Sequence, residues 1–162
     1  ASSSLLPANP EAMDYLQEND EPWRSEAELV DTTIFSTVTL DEYCETTGLW
    51  PDFLTMDIQG AEYEVLQGGP KALRTLLAIV TEVEFKQIYQ GQKLFADIDA
   101  LLKTASFQFI KLYSPQYWRL NPGDGTKTLT VAEALFMRSP EGLDEASKIK
   151  LAELSRCFGV TS

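Results

Sequence analysis

Hydrophobic residues in this 162-residue chain fall in short runs whose spacing alternates between strand-like and helix-like. Leu29-Val30-Asp31-Thr32-Thr33-Ile34-Phe35-Ser36-Thr37, within residues 28–37, is β-branched and aromatic and predicts a strand. Thr39 with Glu42 three residues on is a capping-box pattern; it predicts a helix to about Thr47, stopped by Gly48 and followed by Pro51. Phe53-Leu54-Thr55-Met56-Asp57-Ile58 is mostly apolar without clean alternation, the pattern of a strand covered on both faces in a parallel sheet. Gln59-Gly60 turns the chain into a helix over Ala61–Leu66, Gly68-Gly69-Pro70 breaks it, and Lys71–Leu76 adds a further helical piece. Leu77–Phe85 reads as a second buried strand, and Leu94, Ile98, Leu101 and Leu102 mark a helix over Phe95–Thr104. Phe107–Tyr113 and Thr130–Arg138 predict two more strands, antiparallel neighbours joined through the turn chemistry of Asn121–Gly125. A short helix near Glu11–Gln17 and a final helix over Gly142–Phe158 complete the pattern.

This order predicts an α/β fold with a mixed sheet and an antiparallel final hairpin. It divides into a loop-rich lead-in (1–27), an α/β core (28–140) and a C-terminal helix (141–162) of one unit. Ligands of such sheets sit beyond the carboxyl ends of the parallel strands. Asp57 closes the first buried strand and Glu84 the second, with Gln59, Lys86 and Tyr89 just beyond them. Glu62 falls in the first turn of the following helix, where the helix dipole favours an acid. A purely structural alternative has Asp57 cap that helix and Gly60 serve only the turn. Trp23, Trp50 and Trp118 are read as packing or loop anchors.

Composition narrows the chemistry. Twenty-five acids against 13 bases leave a formal charge of −12, which opposes capture of nucleic acid or an anionic membrane. Histidine is absent, so neither a Ser-His-Asp nor a Cys-His arrangement exists, nor a His-ligated zinc. Cys44 and Cys157, far apart in sequence, fit reduced thiols of a cytoplasmic protein. No apolar run approaches the roughly 20 residues of a membrane span, and no signal peptide opens the chain. The first residue is Ala, as expected of a fragment or a processed chain.

Several separate motifs carry a resemblance. They are Thr39-Leu40-Asp41-Glu42-Tyr43, Asp52-Phe53-Leu54-Thr55-Met56-Asp57-Ile58-Gln59-Gly60-Ala61-Glu62 and Glu64-Val65-Leu66-Gln67-Gly68. Glu82-Val83-Glu84-Phe85, Tyr89-Gln90-Gly91-Gln92, Leu94-Phe95, Glu133–Arg138 and the serine-rich Ser2-Ser3-Ser4-Leu5-Leu6 extend it over about residues 1–140. Together they resemble the FkbM-type methyltransferase family. Gln59 stands where that family more commonly has Glu, Thr55 where Lys is common and Gly69 where Ala is frequent.

The resemblance implies an S-adenosylmethionine-dependent O-methyltransferase of the Rossmann-like class I fold, acting on a hydroxyl of a small molecule or sugar. Asp57, then Glu84, are the implied catalytic residues; Gln59, Lys86 and Tyr89 are substrate contacts; Asp57 and Gln59 also face the cofactor. No resident metal is expected, although a related mechanism would have Asp57 and Glu84 hold Mg²⁺. The family's Gly-rich cofactor loop and the acid-terminated strand after it have no counterpart in this sequence. The chain is therefore expected to be the C-terminal half of a catalytic domain, inactive alone. Its sheet edge would then be covered by a missing N-terminal segment or a second copy. The alternative function is a non-catalytic fragment or interaction module.

Overall fold

The computed structural model describes residues 3–18, 21–23, 27–120 and 125–160. Chain order is α1 (Pro10–Tyr15), β1 (Gln17–Glu18), β2 (Glu21–Pro22), α2 (Leu40–Thr47), β3 (Phe53–Met56), α3 (Glu62–Gln67), α4 (Ala72–Thr75), β4 (Ala78–Glu84), α5 (Phe95–Thr104), β5 (Phe107–Arg119), β6 (Lys127–Arg138) and α6 (Glu145–Cys157). The strands form one mixed sheet in the order β2-β1-β5-β6-β4-β3. β3 runs parallel to β4, and every other pairing is antiparallel.

Local chemistry explains most of these boundaries. The Thr39 side chain accepts the Glu42 N–H at 3.1 Å and so starts α2. Gly48 ends it in the left-handed conformation, φ 71°, donating its N–H to the Cys44 carbonyl. β4 is buried along nearly its whole length because β3 and β6 flank it and helices lie on both sides. On one face Ile79, Val83, Ala132, Ala134 and Phe136 of the sheet meet Leu66, Leu73, Ile98 and Leu102 of α3, α4 and α5. On the other, Ala78, Leu135 and Met137 pack against Leu151 of α6. Arg138, at the end of β6, donates to the Leu73 and Leu76 carbonyls and lies over the Phe107 ring, tying α4 to the sheet.

Three expectations meet corrections. Residues 28–38 form no strand: they carry no regular secondary structure and are exposed, Ile34 at 96%. Strand preference is mostly packing against neighbours, and the sheet as described offers this segment none. β3 is not covered on both faces; Phe53 and Thr55 are exposed and Leu54 and Met56 half-buried, because β3 is the edge strand. β5 runs on to Arg119 rather than stopping at Tyr113. The register slips between Tyr113 and Gln116, with Ser114 at φ 46°, so Pro115 passes through a bulge where its missing N–H costs nothing. The predicted turn at Asn121–Gly125 lies, for residues 121–124, outside the described residues.

The lead-in is not merely loop. Ala12, Leu16, Trp23, Ile88, Tyr89, Trp118 and Val131 make a cluster of their own, in which Trp23 meets the Tyr89 ring edge-on at 5.7 Å. Trp23 and Trp118 are thus packing anchors, whereas Trp50 is 40% exposed.

Phe136→Ala should cost about 3–5 kcal/mol and Thr39→Ala about 1 kcal/mol. Ile34→Ala should stay within about 0.5 kcal/mol. Urea unfolding of the three variants checks this order.

Candidate active site

The sequence after β3 must leave the sheet and enter α3 within five residues, and Glu62 organises that turn. Its buried carboxylate bends back to accept the Ile58 N–H and the Gly60 N–H, both at 2.9 Å. Gln59 and Gly60 take positive φ, 58° and 102°. Only glycine suits position 60, since a Cβ there would stand 2.7 Å from Tyr89 Cδ2 and 2.9 Å from Gln92 Nε2. The turn thus leaves Asp57 exposed at the carboxyl end of β3 and aims the Gln59 side chain back across the sheet.

Four side chains meet there. Gln59 Nε2 donates to Asp57 Oδ1 at 2.8 Å and to Glu82 Oε2 at 2.9 Å, while Gln59 Oε1 accepts from the Tyr89 hydroxyl at 3.0 Å. One carboxylate oxygen from each of Asp57, Glu62 and Glu82 lies within 4.8 Å of the others. Glu84 follows Glu82 by two residues on β4 and so shares its face. It is fully buried, and neither of its oxygens, nor Gln92 Nε2, has a hydrogen-bond partner among the described residues. Lys86 is half-buried in the connection from β4 to α5.

Crowding acids in a partly dry place holds protons on them. Burial, then the charges of Asp57 and Glu62, a hydrogen bond to Asp57 and the Glu133 charge raise Glu82 to about 8. Burial, then Glu62 and Glu82, raise Glu84 to about 9. The Gln92 amide is near enough to favour the charged Glu84 a little, without meeting hydrogen-bond geometry. Glu62 is also raised by burial, against which its backbone N–H partners pull. At neutral pH Glu82 is therefore largely protonated.

The structure brings Asp57, Gln59 and Tyr89 together and buries Glu84, while among the described residues Lys86 has no hydrogen bond to any of them. Sequence reading passed over Glu82 and Gln92. For Glu82 a signal existed: two acids at i and i+2 on one strand share a face. For Gln92 none did, because its carbonyl receives the Ile88 and Tyr89 N–H groups only through a local fold of the chain.

Acids thus stand at the carboxyl ends of a parallel strand pair, in a mixed α/β sheet compatible with a methyltransferase-like fold. The chain belongs to the FkbM methyltransferase domain family, which residues 6–109 match. Over 54 residues it is 41% identical to the 2-O-methyltransferase NoeI of Sinorhizobium fredii, a match covering 33% of this chain and 22% of that protein. The match thus spans about a fifth of the relative's length. No solved structure matches the chain.

The raised values of Glu82 and Glu84 fix a sign. Acids whose folded values lie above the ordinary 4.5 stabilise the fold fully below that value and lose the contribution as pH rises through about 8 and 9. The thermal midpoint should fall steadily from pH 5 to pH 9, and Glu84→Gln should flatten the fall; calorimetry across that range measures both. Gly60→Ala should destabilise by about 1–3 kcal/mol through strain at its positive φ, seen as a lower urea midpoint at any pH.

Proposed function

We propose that this domain belongs to an S-adenosylmethionine-dependent O-methyltransferase that acts on a hydroxyl of a small molecule or sugar. The observation that carries the reading is Asp57, exposed at the end of the parallel strand, with its neighbour Glu82 raised to about 8. Glu82 then stands as a proton holder beside the exposed Asp57 carboxyl group. Family membership and the similarity to a 2-O-methyltransferase support methyl transfer to oxygen.

The carboxylate set suits a cationic ligand, and S-adenosylmethionine carries a sulfonium and an ammonium. Asp57 is its exposed member, beside half-buried Glu82 and buried Glu62, and is the residue that would face that charge. The bound cofactor would supply an electrophilic methyl group. Asp57 accepts the proton of the acceptor hydroxyl, a role worth about 10²–10⁴-fold in comparable sites. Among the described residues no glycine-rich strand-to-helix loop exists to cradle the rest of the cofactor; Gly60 is occupied by the packing of Tyr89 and Gln92.

The same reading assigns a cover to the outer edge of β3. That edge has no strand partner among the described residues, and Leu29, Val30, Ile34, Phe35 and Val38 are exposed. Another segment of the protein, or a second copy, fits both surfaces. A cytoplasmic setting agrees with two unpaired cysteines, Cys44 buried and Cys157 exposed. No helix among the described residues is long and apolar enough to cross a membrane.

In the full-length protein, Asp57→Asn should lower methyl transfer from labelled S-adenosylmethionine to hydroxyl acceptors by about 10²–10⁴-fold. Unchanged transfer would remove Asp57 from the reaction. Calorimetric titration of S-adenosylmethionine into the 162-residue chain alone is expected to give only weak binding; tight binding would overturn the idea that the cradle lies elsewhere.

A further inference from the structure

We infer that Gln59 is a positioning residue that holds Asp57 and Glu82 as a facing pair, with the Tyr89 hydroxyl anchoring its amide oxygen. The inference rests on the reading of Asp57 as proton acceptor, but its geometry stands apart from that reading. Between the two carboxylates lies one donor group, Gln59 Nε2, with one hydrogen for each, at 2.8 and 2.9 Å. A flipped amide would aim Oε1 at both acids and give up both of these N–H donations. The Tyr89 hydroxyl completes the observed arrangement by donating to Oε1 at 3.0 Å.

The backbone is held to the same end. Gln59 sits at φ 58°, a region that residues with a Cβ seldom adopt. Ser4 Oγ donates to its carbonyl at 2.6 Å, and Glu62 takes the N–H groups on either side of it. Strain of this kind persists where surrounding contacts over-determine it. Tyr89 is itself fixed by the Trp23 ring and by its own N–H on Gln92 Oε1 at 3.1 Å.

The amide does work that a cation or a second proton would otherwise do. Around Glu82 stand Asp57 beyond β3, Glu62 of α3, Glu84 on its own strand and Glu133 of β6. No Lys or Arg side chain makes an ion pair with any of these five acids among the described residues. A neutral double donor keeps two acids at close range without adding charge. Glutamate at position 59 would aim a third carboxylate into the gap. Methionine would leave the pair with no donor.

Carboxyl-carbon NMR of ¹³C-glutamate-labelled protein, titrated from pH 5 to pH 10, tests this in wild type, Gln59→Met, Gln59→Glu and Tyr89→Phe. The amide favours the charged form of Glu82, so its loss in Gln59→Met should move the Glu82 titration upward by at least half a pH unit. Gln59→Glu should move it further, and Tyr89→Phe in the same direction by less. In the full-length protein the pH profile of methyl transfer should move with it, kcat falling more than KM rises. Glu82 titrating alike in all four proteins would overturn the inference, and Tyr89→Phe keeps that outcome readable if Gln59→Met fails to fold. Shifted titrations in a wild type that transfers no methyl group would instead leave the role of Gln59 intact and remove the methyltransferase reading.

Discussion

A buried carboxylate on two backbone N–H groups is the constraint from which the site follows. Glu62 lies at the start of α3, yet its charge is spent on Ile58 and Gly60, the residues that flank Gln59. Without those bonds two backbone donors would be stranded in the interior, and each such donor costs about 1–3 kcal/mol. With them the chain can pass through two consecutive positive-φ residues and still enter a helix. The strand end, the left-handed turn and the helix start are therefore one object, and the positions of Asp57 and Gln59 are properties of that object.

The sheet supplies the second half of the geometry. β4 is parallel to β3 on one side and antiparallel to β6 on the other, so acids arriving on three strands share one region. Glu82 is directly opposite Glu133 of β6, while Glu84 goes into the interior. Burial dominates both raised values and neighbouring charge comes after it. The net charge of −12 thus has a local meaning: some of it is concentrated where it can retain protons at neutral pH.

What the sequence disclosed was whatever local chemistry decides. Thr39 and Glu42, Gly48, the helical spacing of Ile98 and Leu102 and the apolar run of β4 all act within a few residues, and those elements stand as read. Residues 28–38 misled because strand composition records a willingness to be packed, and packing needs a neighbour. The strand expected over Phe107–Tyr113 fell short in the opposite sense, because a bulge carries β5 past Pro115 to Arg119. At the site, Asp57, Gln59 and Tyr89 stood out by following strand ends. Glu82 did not, since its partnership depends on a glutamine 23 positions earlier turning back across the sheet.

The lead-in segment has a meaning beyond its small cluster of aromatic residues. Pro7 and Ala8 accept from Gln90, Asn9 bonds to the carbonyls of Gln87 and Ile88, and Ser4 reaches the carbonyl of Gln59. One short stretch of backbone thereby splices the loop after β3 to the loop after β4, two places that the sheet alone leaves independent. Detachment of residues 4–9 would therefore break hydrogen bonds to both loops at once.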